Sequence, residues 1–130
     1  MGRIQQAFER AASEQRAALV IYLCAGDPDL ATTVRLVCAA ADAGADVIEL
    51  GVPFSDPTAD GAAIQKASER ALKQGTTLRG VLDVVREVRK THAVPVLLFG
   101  YYNPVMSYGE VRLASDAADV GADGFLVVDL

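Results

Sequence analysis

Three carboxylates carry the chemistry this 130-residue chain could do: Glu49, Asp56 and Asp60. Glu49 sits in Val47-Ile48-Glu49-Leu50-Gly51, among apolar neighbours and near the C-terminal end of an expected strand. Burying a carboxylate without a partner costs several kcal/mol or raises its pKa until it takes up a proton. Such a carboxyl can exchange protons near neutral pH. Strand C-termini are also where parallel α/β proteins place catalytic groups. The alternative is a strand-end glutamate paired with a basic side chain. Asp56 and Asp60 lie in the next loop, Pro53-Phe54-Ser55-Asp56-Pro57-Thr58-Ala59-Asp60-Gly61, which can present both over the sheet. Asp60 could equally cap the following helix, and Asp56-Pro57 could be a plain turn.

Other chemistries find little support. The single histidine, His92, follows Arg86, Arg89 and Lys90 at a helix end, where it complements the helix dipole. There is no glycine-rich phosphate cradle, no serine–histidine or cysteine–histidine pair and no metal-ligand spacing. Cys24 and Cys38 read as reduced, partly buried thiols of a cytosolic protein. Gly26-Asp27-Pro28 and Tyr101-Tyr102-Asn103-Pro104 follow the first and third expected strands. Asp27 suits a cap or turn; the tyrosines and Asn103 either line a pocket or pack the sheet's mouth. With 12 basic and 17 acidic side chains the net charge is −5, which argues against nucleic-acid binding. Hydrophobic residues make up 52%, ample for a core. Charges interrupt every apolar run before the roughly 18 residues a membrane helix needs. The polar start, Met1 to Gln6, does not look like a signal peptide.

The elements that must position these residues alternate. A helix is expected over 3–15 with Ile4, Ala7, Phe8, Ala11 and Ala12 on one face. Strands are expected over 18–24, 46–51, 95–100 and 123–129, and helices over 30–43, 62–73, 77–91 and 109–120. Val52–Gly61 and Tyr101–Gly109 read as loops. Strands apolar on both faces and separated by helices indicate a parallel sheet covered by helices. Ala41-Asp42-Ala43-Gly44-Ala45-Asp46 is echoed by Ala118-Asp119-Val120-Gly121-Ala122-Asp123, as expected of repeating βα units. No linker divides the chain, so residues 1–130 read as one unit.

Together these residues resemble a specific family, the α subunit of tryptophan synthase. The resemblance is carried by Gly26-Asp27-Pro28, by Glu49 through Pro57, by Ala59-Asp60-Gly61 with Ile64-Gln65, by Tyr101-Tyr102-Asn103-Pro104 and by Gly121-Ala122-Asp123-Gly124. It implies a TIM barrel, of which four parallel strands would form an N-terminal half, the whole having eight strands in about 250 residues. It implies the reversible retro-aldol cleavage of indole-3-glycerol phosphate to indole and glyceraldehyde 3-phosphate, without a cofactor on this chain. Glu49 would then be the general acid–base acting at indole C3, and Asp60 would bind the indole N–H and stabilise positive charge on the ring. Tyr22, Tyr101 and Asp129 are expected in the substrate pocket. Pro53, Ser55, Asp56 and Pro57 are expected to face a β subunit that uses pyridoxal phosphate and receives indole through a channel. The expected location is the cytoplasm, with no nucleic-acid or membrane partner. Two positions depart from the family's pattern: Cys24 stands where threonine is common, and Ala62 where proline is common.

Two other readings remain at this point. One is a different phosphate-binding barrel isomerase or aldolase; a Schiff-base aldolase would need a strand lysine, and Lys66, Lys73 and Lys90 all fall on expected helices. The other is a non-catalytic half-barrel that self-associates or binds a β-like partner, since two sheet edges and a broad apolar face would be exposed. The family's phosphate grip belongs to loops beyond the fourth strand, so residues 1–130 by themselves are expected to be inactive.

Overall fold

The structure is a computed structural model and describes residues 2–130. In chain order the elements are α1 (Arg3–Ser13), β1 (Val20–Cys24), α2 (Leu30–Asp42), β2 (Val47–Gly51), α3 (Ala62–Lys73), α4 (Leu78–Arg89), β3 (Val96–Gly100), α5 (Tyr102–Tyr108), α6 (Glu110–Val120) and β4 (Gly124–Val127). The strands form one parallel sheet in the order β1-β2-β3-β4. Sequential neighbours joined by helical crossovers are what consecutive βα units give.

Register decides which side chains share a face. Ile21, Ile48 and Val96 form one row, and Leu23, Leu50, Leu98 and Phe125 the next. This face meets the helices. Ile48, Leu50, Val96 and Leu98 are buried with Val37 of α2, with Val81, Val84, Val85 and Val88 of α4, and with Leu113, Ala117 and Val120 of α6. The valines of α4 recur at helical spacing, and Thr77 starts that helix by accepting the Gly80 N–H at 3.1 Å. The opposite face carries Tyr22, Glu49, Leu97 and Gly124 in one row and Cys24, Gly51, Phe99 and Leu126 in the next. It is open: Val20 is 41% exposed and Leu126 38%. The apolar character of β1 and β4 therefore exceeds their burial, and only the central strands β2 and β3 approach the expected burial on both faces.

The sequence echo is a repeated anchoring device. Asp46, just before β2, accepts the Leu19 N–H at 2.8 Å and two hydrogen bonds from Arg16 at 2.8 and 3.0 Å. Asp123, just before β4, accepts the Val96 N–H at 2.8 Å and a bond from Arg89 at 2.7 Å, and pairs with Arg3 at 2.9 Å. Each aspartate ties the N-terminal end of its strand to the neighbouring strand. Arg3 and Arg16 bring α1 and its trailing turn to the same end. Opposite charge and the backbone donor hold the Asp46 carboxyl at a pKa of about 2, with Arg16 the largest cause.

Several expectations need correcting. Tyr101–Gly109 is not a loop: α5 occupies most of it, because Pro104 falls in the first turn, where its missing N–H is harmless, and Gly109 ends the helix at φ +101°. In α1 only Ala7 and Ala11 are buried; Phe8 is 49% exposed and Ala12 is exposed, since α1 lies across the strand ends through its small residues. Asp27 does not cap α2. That role belongs to Asp29, which accepts the Thr32 N–H at 2.7 Å, while Asp27 binds Arg70 of α3 through both oxygens at 2.8 and 2.9 Å. Asp60 does not cap α3 either: the N-cap is Gly61, and Ala62 opens the helix without a side-chain cap. His92 does more than sit at a helix end, since its Nε2 lies 2.7 Å from Asp42 of α2.

Candidate active site

Glu49 stands on the open face of β2, flanked by Tyr22 of β1 and Leu97 of β3. Its neighbours Ile48 and Leu50 point into the core, so alternation along the strand sends the carboxylate the other way. It is half-buried, and among the described residues it takes no hydrogen bond and no basic partner. The reading of Glu49 as an ion-paired strand end thus finds no support.

Tyr22 forms one wall. Its ring lies across Gly51, where an added Cβ would come within 2.1 Å of the hydroxyl. Phe99 meets it edge-on, with ring centroids 5.5 Å apart and planes at 81°. The Tyr22 hydroxyl titrates far above the usual phenol range. Burial is the largest cause, and Cys24, Asp60, Tyr101 and Glu49 all add to it. Both carboxylates thus act electrostatically on this one hydroxyl. Burial likewise pushes the Cys24 thiol up, while its sulfur lies 4.0 Å from the Ser68 hydroxyl of α3.

Asp60 arrives from the loop between β2 and α3. Val52 N–H donates to the Phe99 carbonyl at 2.8 Å, carrying the strand pairing one residue into the loop. Thr58 N–H then donates to Asp56 O at 2.9 Å and Asp60 N–H to Pro57 O at 3.1 Å, so Asp56-Pro57 does form a turn. Two side chains hold this turn. Gln65 Nε2 donates to Asp60 O at 2.8 Å, and the Tyr101 hydroxyl accepts the Ala59 N–H at 3.0 Å. Tyr101 is 5% exposed and packs against Phe54 with ring centroids 5.5 Å apart. Its hydroxyl is raised above the ordinary phenol range, first by burial, with the Ala59 N–H working against the rise and the negative charge of Asp60 adding to it.

Of the expected pocket residues, Tyr22 and Tyr101 lie beside the two carboxylates. Asp129 is engaged elsewhere: its carboxylate accepts the Tyr102 N–H at 2.7 Å and caps α5. Of the residues expected to face a partner, Ser55 and Asp56 are exposed, Pro57 is half-buried and Pro53 is buried within the chain. Phe99 was not among the expected site residues. The alternation of β3 places it with Leu97 on the Glu49 face, which is the signal that finds it. Lys66 and Lys73 lie on α3 and Lys90 ends α4, so among the described residues no strand carries a lysine for a Schiff base. No group of three His, Cys, Asp or Glu side chains among the described residues could hold a metal ion. No helix among them is long and apolar enough to cross a membrane.

Comparison with known proteins agrees with this arrangement. The sequence profile of the family "Tryptophan synthase alpha chain" matches residues 8–130. The tryptophan synthase alpha chain of Geobacter sulfurreducens is 54% identical over 130 residues, covering 100% of this chain and 49% of its own length. That of Dechloromonas aromatica is 57% identical, covering 99% and 48%. Among solved structures, tryptophan synthase subunit alpha of Legionella pneumophila superposes with a TM-score of 0.96 at 45% identity, over 100% of this chain and 50% of that one. An aminoacrylate-bound tryptophan synthase of Mycobacterium tuberculosis gives 0.94 at 36% identity, over 100% and 53%. The chain spans about half the length of the relatives it matches. Its four parallel strands and their helices are thus half of that α/β barrel, and the chain belongs to the tryptophan synthase alpha chain family.

Proposed function

We propose that residues 1–130, acting as one unit, carry the acid–base half of a carbon–carbon lyase that cleaves indole-3-glycerol phosphate to indole and glyceraldehyde 3-phosphate. The observation that carries this reading is the Glu49 carboxylate on the open face of β2, beside Tyr22 and without a basic partner among the described residues, in a chain of this family. Glu49 gives a proton to indole C3. Asp60 accepts a hydrogen bond from the ring N–H, and its fixed charge offsets the positive charge that spreads over the ring. The side-chain hydroxyl next to the ring then loses its proton to the Glu49 carboxylate, and its oxygen becomes the aldehyde. The carbon–carbon bond breaks, and its electron pair returns to the ring. Tyr22 and Phe99 offer aromatic surface against which a flat ring packs.

The same loop offers Ser55, Asp56 and Pro57 to a β subunit, with buried Pro53 shaping it from beneath. A cytoplasmic location is supported by the free, partly buried cysteines. Alone, residues 1–130 are expected to lack turnover, because grip on the substrate phosphate contributes to holding the transition state. Lyase turnover by a purified 1–130 polypeptide would overturn that expectation. Indole release by the protein as its own cell makes it tests the reaction. Asp60→Asn is expected to lower the rate by about a hundredfold or more, and an unchanged rate overturns the assignment.

The exposed apolar face favours a second reading, in which residues 1–130 associate with themselves. On this face Val20 and Leu126 are each about two-fifths exposed. Gel filtration decides: a stable monomer that binds no hydrophobic dye rules this reading out.

A further inference from the structure

We propose that Tyr101 is a positioning residue for Asp60: its hydroxyl fixes the Ala59-Asp60 segment so that the carboxylate stays where an aromatic N–H of the substrate can reach it. The inference rests on the functional reading above and deepens it.

A carboxylate on an exposed turn samples many positions, and an electrostatic stabiliser loses most of its effect when displaced by about 1 Å. Ser55, Asp56, Thr58 and Ala59 are all exposed, so little packing restrains the turn from outside. The restraint comes from beneath. Tyr101 directly follows β3, is almost fully buried, and is wedged against Phe54. A buried ring on a strand end has little freedom, and its hydroxyl is correspondingly fixed. That oxygen takes the Ala59 N–H at 3.0 Å. One hydroxyl thus grips the backbone immediately before Asp60. Gln65 holds the Asp60 carbonyl from α3, so the residue is fixed on both sides. Burial and the carboxylate both oppose its ionisation, which keeps the proton on it throughout the neutral range.

Binding of indole is measured by equilibrium dialysis on the protein as its own cell makes it, which is the wild-type chain below. Indole offers an N–H to Asp60; 1-methylindole has the same ring without it. The wild-type chain is expected to prefer indole by roughly tenfold, the worth of one hydrogen bond to a charged acceptor. Asp60→Asn should abolish this preference. Tyr101→Phe should cut it to below about threefold while leaving affinity for 1-methylindole unchanged. A merely structural tyrosine would weaken both probes equally, and that outcome overturns the proposal, as does a full preference in Tyr101→Phe. A wild-type chain with no preference, or one whose preference survives Asp60→Asn, contradicts the functional reading itself. A readout on the unmutated chain stands beside these: the Ala59 amide must exchange more slowly than that of Ser55 in the same loop, and equal exchange overturns the proposed grip.

Discussion

The ring of Tyr22 occupies the space where Gly51 has no side chain, with its hydroxyl 2.1 Å from the point a Cβ would take. That close approach ties the end of β2 to the aromatic wall of β1. It explains why a residue without a side chain follows Leu50 in a strand that is otherwise apolar. Gly51→Ala must therefore displace the tyrosine. The expected result is loss of the edge-on contact between Tyr22 and Phe99, read as changed ring-current shifts, with destabilisation of about 1–3 kcal/mol from overpacking. Unchanged shifts and stability would show that the ring has another place to go.

Asp46 is expected to give the chain part of its acid sensitivity. Its folded pKa is held at about 2, below the ordinary 3.8, mainly by Arg16. A depressed carboxylate pKa contributes stability that is present above the unfolded value and lost as pH falls through the folded one. The window is therefore about pH 4 down to pH 2. With the side chain almost fully buried, the contribution is about 2 kcal/mol. Asp46→Asn should lower stability at neutral pH by that order and flatten the acid limb of a denaturation series; an unaltered limb contradicts the assignment.

Asp123 occupies the matching place before β4, with Arg89, Arg3 and the Val96 N–H as partners. Removing it takes the counter-charge from two guanidinium groups and leaves them only backbone carbonyls, Gly121 for both and His92 and Val94 for Arg89, which is already disfavoured by burial and by the nearby Arg3. Asp123→Ala is expected to cost about 3 kcal/mol or more, measured by urea denaturation. A loss below about 1 kcal/mol would mean that these carbonyls suffice to hold both arginines without the carboxylate.

The sequence makes the sheet legible through its physics. Runs such as Val96-Leu97-Leu98-Phe99 are too short for helices and too apolar for surface loops, and Pro95 and Gly100 bound this one. Glu49 is visible because it breaks such a run. What stays hidden depends on long-range partners. Asn103-Pro104 looks like a turn, and only the carboxylate of Asp129, far along the chain, shows that a helix starts at Tyr102. Asp27 resembles a cap because its partner, Arg70, is 43 residues away. The two echoed aspartates look like punctuation until the register brings Leu19 and Val96 to them. The half-barrel reading anticipates two exposed sheet edges and an open apolar face, but composition alone does not say that β1 and β4 are the strands at those edges.

The account turns on Glu49. Indole release from indole-3-glycerol phosphate should be measured on the protein as its own cell makes it, alongside Glu49→Gln. A general acid–base contributes on the order of a hundredfold to ten-thousandfold. The rate is expected to fall by at least a hundredfold, with the far-UV spectrum and indole affinity kept. A Glu49→Gln protein that releases indole at the wild-type rate would contradict the account.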